Sequence, residues 1–303
     1  MASVEAKTQA RAGGSEGAVG AAPVHSAAAM PAKRAHALQD LSWPEFRARL
    51  AGNPPILLPL GSQEQQGPHA PMGDYVLAER LALAAAERAG AICAPVLPFG
   101  HADFFRGAAG GVQLRAATFA RVLEDMVTAF LDHDLSHIII CNGHSTNAPL
   151  IAQVAQKVRR ERGVMIASLN LWRMIPDSLW DEVHGAESAR ARGHGADPVT
   201  SVGLHLTPEL MRMGAARPAM RSNAFGLPST SQFAGVTFDG FEVALPLDVN
   251  EVASNGVGAG DPTLASAEAG ARFSDWIVGA VADFIAHFRR CDPARPHLGP
   301  DAS

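Results

Sequence analysis

Residues 61–74 read GSQEQQGPHAPMGD, which places a carboxylate at Glu64, an imidazole at His69 and a second carboxylate at Asp74 among glycines and prolines. Oxygen donors of this kind hold divalent cations, but the stretch carries too few imidazoles or thiols to complete a metal site alone. Two other polar loops can supply what is missing. NGHSTN (142–147) offers His144, and RGHGADPVTS (192–201) offers His194 and Asp197. Two carboxylates and one imidazole that leave a position open for water form the ligand set of zinc or manganese hydrolases. A neutral imidazole with pKa near ~6.5, such as His194, can carry a proton at neutral pH. The same side chains also suit a structural role. Glu64 could cap a helix, His144 could satisfy a loop carbonyl, and His194 could order a glycine-flanked loop. His69, between Pro68 and Pro71, fits a locked turn that orients Glu64 and Asp74.

These loops need a scaffold that brings them together. The runs PILLPL (55–60), AICAPVLPF (91–99), HIIIC (137–141) and VMIASLN (164–170) are short and apolar without alternation, as in strands buried on both faces. Between them, residues 75–90, 116–134 and 148–163 place apolar side chains at helical spacing. This β-α-β-α succession predicts an α/β fold, a mostly parallel sheet with helices on both faces and ligands beyond the carboxyl ends of the strands. The loops holding Glu64–Asp74 and His144 then leave the same sheet edge.

Composition narrows the partners. With a net charge of −5 the chain has no electrostatic footprint for nucleic acid, and no apolar stretch is long enough to span a membrane. Three cysteines, two of them in strand-like runs, read as buried thiols in a reducing, cytoplasmic setting rather than as a disulfide framework. Neither Cys93 nor Cys141 is placed like an activated thiolate, no GxSxG elbow occurs, and GAAGG (107–111) lacks the lysine of a phosphate loop. Residues 1–36 are rich in Ala, Gly and Ser with no aromatic, and are expected to be a disordered tail before a single domain over 37–303.

LPLGSQEQQGPHAPMGD, CNGHSTN and RGHGADPVTS, in that order, resemble the creatininase family of amidohydrolases, whose usual motifs are GSxEQHGPHLPxxTD, NGHGGN and HAGExETS. The resemblance implies a three-layer α/β/α sandwich, commonly a homohexamer, in which metal-activated water hydrolyses a carbon–nitrogen bond in a small, often cyclic amide. Glu64 and His144 stand where the family holds its first metal, and Asp74 where an aspartate bridges two. Gln66, Val199 and Thr146 stand where ligands of the second ion are expected. Their joint loss implies one zinc or manganese ion per chain, held by Glu64, Asp74 and His144. His194 matches a histidine that contacts substrate and assists proton transfer, a duty Asp197 is expected to share.

Alternatives within that fold are a deformylase or lactonase, and outside catalysis a binding or scaffold protein. His101 is a reserve ligand, with Phe104 and Phe105 as apolar walls. His184 lies in a polar connector that could form a lid, and Trp172 and Trp180 could stack on a planar substrate. Apolar helices expected at 199–213 and 264–290 suit a homo-oligomer.

Overall fold

The computed structural model describes residues 34–230 and 235–300. In chain order the main elements are α1 (Trp43–Leu50), β1 (Ile56–Leu60), α2 (Tyr75–Ala89), β2 (Ile92–Cys93), α3 (Ala116–Leu131), β3 (Ile138–Asn142), α4 (Ala148–Arg162) and β4 (Ala167–Asn170). There follow α5 (Asp177–His184), α6 (Ser188–Ala191), α7 (Val199–Leu206), the short strands β5 (Asn223–Ala224), β6 (Leu227–Pro228), β7 (Gly235–Phe238) and β8 (Phe241–Ala244), then α8 (Val249–Val252) and α9 (Ala267–Phe288).

The central sheet runs β2-β1-β3-β4 and every pairing in it is parallel. Successive strand residues point to opposite faces, and both faces are covered. Leu57, Ile139 and Cys141 pack with Leu81 of α2 and with Phe273 and Ile277 of α9. Ile56, Leu58, Ile138 and Ile140 pack with Phe119 and Leu123 of α3 and with Ile151 and Val154 of α4. Burying one such side chain contributes roughly 1.5–3 kcal/mol, so the strands read as unbroken apolar runs because both faces are inside. The result is a three-layer α/β/α sandwich.

Prolines trim two of the expected elements. The run 91–99 pairs as a ladder only at Ile92–Cys93, because Pro95 and Pro98 cannot donate, and it rejoins β1 through a single bridge from Leu97 to Leu60. The helix expected over 199–213 stops at Leu206, two residues before Pro208, with Thr207 in a non-helical conformation. Gly90 and Gly163 end α2 and α4 in the left-handed conformation.

Most of the expected N-terminal tail, residues 1–33, lies outside the described residues. Residues 34–36 are tied down instead. Cys93 N donates to His36 O at 2.8 Å, His36 Nδ1 donates to Ala91 O at 2.7 Å, and Arg34 pairs with Asp40 at 2.8 Å. No helix among the described residues is long and apolar enough to cross a membrane.

Candidate metal centre

In the register of β1 with β3, Leu60 lies beside Asn142, so the loops that follow depart side by side. Their backbones come very close to α2. A Cβ at Gly61 would lie 2.4 Å from Tyr75 Cα and 2.7 Å from Asp74 Oδ1, and one at Gly143 would lie 2.7 Å from Ala78 Cβ. Only glycine fits at either position. Buried asparagines brace the pair. Asn142 Oδ1 accepts from His144 N at 3.1 Å, and Asn147 donates to Gly61 O at 3.2 Å while accepting from His101 N at 2.9 Å. The Trp172 indole, a candidate for stacking on substrate, donates to Gly143 O and supports the same loop.

This frame brings Glu64, Asp74 and His144 together, all buried, with one ligand atom from each within 4.8 Å of the others. Asp74 Oδ1 accepts from Ser62 N at 2.7 Å, which leaves Oδ2 toward His144 Nδ1 at 2.9 Å. Glu64 Oε1 lies 3.2 Å from the same nitrogen and 2.9 Å from Gln66 Nε2. Glu64 Oε2 is buried without a hydrogen-bond partner. Such an acceptor costs about 1–3 kcal/mol unless a cation or donor meets it. Two carboxylates and an imidazole converging beside an orphaned oxygen fit a divalent ion of the zinc or manganese type. Because backbone occupies Asp74 Oδ1, Asp74 offers one oxygen and is poorly placed to bridge two ions.

The electrostatics agree. Burial pushes the Glu64 carboxyl up to about 7, against the pull of His144. For His144 burial favours the neutral ring, yet the charges of Glu64 and Asp74 outweigh it and raise the imidazole to about 10. A site that binds a proton this firmly between two carboxylates is built for positive charge.

His194 stands beside this cluster. Its Nδ1 lies 3.8 Å from Glu64 Oε1, its ring lies 4.3 Å from that of Phe105, and burial with the neighbouring His144 charge lowers it to about 3. Gly67 N donates to Gln65 Oε1 at 2.8 Å, which fixes the amide so that Gln65 Nε2 donates to His194 Nε2 at 3.3 Å. A neutral His194 therefore carries its proton on Nδ1, facing Glu64. Phe105 also meets His144 edge-on at 6.4 Å and packs against Phe104, so it forms the apolar wall anticipated for this stretch.

Asp197 is placed differently. Its Oδ1 accepts from Ser201 N at 2.9 Å, and its Oδ2 accepts from Ser201 Oγ at 2.6 Å and His184 Nε2 at 2.9 Å. All three of these bonds run to the start of α7 and the end of α5. His184 is stacked on Trp180 within the core. His69 is fully buried and meets Thr200 Oγ1 at 3.1 Å, which ties its turn to α7. His101 Nδ1 donates to Leu114 O at 3.2 Å and so belongs to its loop. Gln66 and Val199 both line an apolar cavity of about 130 Å³ with Met72, Tyr75 and Met211, a wall without the carboxylates or imidazoles a second ion needs. Burial pushes the thiols of Cys93 and Cys141 up, the latter to about 12, which disqualifies both as nucleophiles.

A family model described as creatinine amidohydrolase matches residues 39–285. Creatinine amidohydrolase from Pseudomonas putida is 28% identical over 151 residues, covering 48% of this chain and 57% of that protein. The 3-dehydro-scyllo-inosose hydrolase of Thermotoga maritima is 27% identical over 177 residues, again covering 57% of its length. The chain thus spans little more than half of these two relatives. Mycofactocin precursor peptide peptidase from Mycobacterium ulcerans is 28% identical over 262 residues, covering 82% of this chain and 88% of that protein. Among solved structures, creatinine amidohydrolase (creatininase) superposes with a TM-score of 0.68 at 24% identity over 83% of this chain and 96% of that one. A structure described as creatininase Mn gives 0.67 at 24% identity over 82% and 97%. At this identity the likeness establishes the fold.

Proposed function

The chain belongs to the creatininase family, and from that premise we propose that it is a metal-dependent hydrolase of a carbon–nitrogen bond in a small, cyclic amide. The observation that carries this reading is the buried trio of Glu64, Asp74 and His144 beside the unpartnered Glu64 Oε2. These three residues would hold one zinc or manganese ion per chain. When bound, such an ion activates water and polarises a carbonyl. His194 is the proton carrier: its Nδ1 proton faces the cluster, and Gln65 keeps that tautomer in place. Phe105 walls the reacting space and limits water. Asp197 supports the His194 loop rather than exchanging protons itself, since Gly193 N donates to Asp197 O at 3.0 Å and Asp197 N to Ala191 O at 3.0 Å while its carboxylate is filled.

The experiment is a hydrolysis screen of cyclic amides, hydantoins, formamides, lactones and short peptides with zinc- or manganese-loaded protein, alongside elemental analysis. Turnover of a cyclic amide at one ion per chain is expected. Peptides belong in the screen because the alignments to peptidases cover more of the chain than that to creatinine amidohydrolase. A chain that takes up no ion would instead be a binding or scaffold protein. We further propose a homo-oligomer, which light scattering reporting a monomer at micromolar concentration would refute.

A further inference from the structure

Thr146 borders the candidate centre from the rim, exposed, one turn into the segment after β3. Its hydroxyl oxygen lies 2.6 Å from His101 O and 2.6 Å from His144 Nε2. A hydroxyl has one proton and a carbonyl only accepts. Two oxygens at 2.6 Å with no proton between them would repel, so the Thr146 proton must sit toward His101 O. The Thr146 lone pair then faces His144, and Nε2 must carry a hydrogen and donate.

Resting on the metal-centre reading above, we propose that Thr146 is a positioning residue that holds His144 as its Nε2–H form and so presents the Nδ1 lone pair to the ion between Glu64 and Asp74. The geometry on the other side agrees, because Nδ1 is the atom 2.9 Å from Asp74 Oδ2 and 3.2 Å from Glu64 Oε1. An imidazole that ligates through one nitrogen is generally oriented by a hydrogen bond from the other. Here the partner is a threonine hydroxyl, itself anchored to the His101 carbonyl in the loop that follows β2. The ring is therefore fixed at both ends: by acids at Nδ1, and by Thr146 with His101 O at Nε2. Gln66 does the matching work for the acid, since its amide holds Glu64 Oε1 and leaves Oε2 free.

Because Thr146 is exposed, Thr146→Val removes the acceptor while keeping the shape and disturbs no core packing. Zinc affinity of the full chain, measured by competition with a chelating dye, is expected to fall about 10- to 100-fold in Thr146→Val. Thr146→Ser should restore it, and the metal-free Thr146→Val chain should stay folded, with its melting temperature lowered only by what the lost hydrogen bond to the buried His144 costs. Nitrogen-15 NMR of the zinc-loaded wild type should show His144 protonated at Nε2. Equal zinc affinity in wild type and Thr146→Val, or a zinc-loaded His144 protonated at Nδ1, overturns this inference alone. A wild-type chain that takes up no zinc overturns the metal-centre reading and this inference with it.

Discussion

Two buried clusters in this molecule pair a histidine with an aspartate at 2.9 Å, yet they are built for opposite ends. Around Asp197 both carboxylate oxygens have partners, Ser201 N on Oδ1 and Ser201 Oγ with His184 Nε2 on Oδ2. The serine hydroxyl in turn accepts from Ser266 N at the start of α9, so the network fastens α5, α7 and α9 to one another. Around Asp74 a second carboxylate crowds the same imidazole, and Glu64 Oε2 has no partner at all. A completed network stabilises a fold, while an incomplete one beside excess negative charge is prepared for a cation. Residue type does not separate the two cases; hydrogen-bond completion does.

The sharpest way to break this contrast is to remove each histidine. His144→Ala should abolish zinc uptake and hydrolysis together, as judged by elemental analysis and turnover, because it deletes one of three donors. His184→Ala should retain the ion but lower stability by about 1–3 kcal/mol, since the buried Asp197 loses one of its three hydrogen bonds and Trp180 loses its stacked ring, and calorimetry reads this as a lower melting temperature. If His184→Ala loses the ion and His144→Ala does not, the two clusters have been assigned the wrong way round.

The next effect in size concerns the proton carrier. His194→Ala is expected to keep one ion per chain and to slow turnover by roughly 10²- to 10⁴-fold, the usual scale for a general acid–base group. Loss of the ion would instead make His194 a ligand.

The pH dependence of the metal-free chain is a gentler test. His144 has a folded pKa of about 10, above the ordinary value of 6.5, so the folded state binds the extra proton. That contribution is complete below pH 6.5 and is lost as pH rises through 10. Melting temperature should therefore decline across that interval, and a His144→Gln variant should flatten the decline. Zinc binding at pH 7 should release between one and two protons per ion, one from His144 and a fraction from Glu64, measurable by calorimetry in buffers of different ionisation enthalpy.

The smallest effect is expected at the N-terminus. Removing residues 1–33 should leave zinc stoichiometry and melting temperature unchanged, whereas extending the deletion through His36 should lower stability, because His36 bonds Ala91 and Cys93. A fall in melting temperature already at the shorter deletion would show that the tail packs on the domain.

Much of the scaffold was legible because β1 and β3 are buried on both faces and so carry continuous apolar runs, and because α2 and α4 end at glycines. What sequence periodicity misjudged were lengths, at β2 and α7, where prolines override apolar character. At the site, the meeting of Glu64, Asp74 and His144 follows from parallel strands leaving one edge. The engagement of Asp197 does not, since its partner His184 lies on a different helix and no local spacing announces the contact. Thr146 was equally hidden: its importance lies in the direction of one hydroxyl proton, set by a carbonyl 45 positions away.

The glycine at position 61 carries a consequence for which ions can be accommodated. With Tyr75 Cα and Asp74 Oδ1 within 2.4 and 2.7 Å of its missing Cβ, the end of β1 and the start of α2 are in backbone contact. The place of the Asp74 carboxylate against the end of β1 is thus drawn by main chain. A donor fixed in this way has little freedom to move outward for a larger ion. For the ion proposed at Glu64, Asp74 and His144, three protein donors suit zinc or manganese better than calcium, which gathers six to eight oxygens.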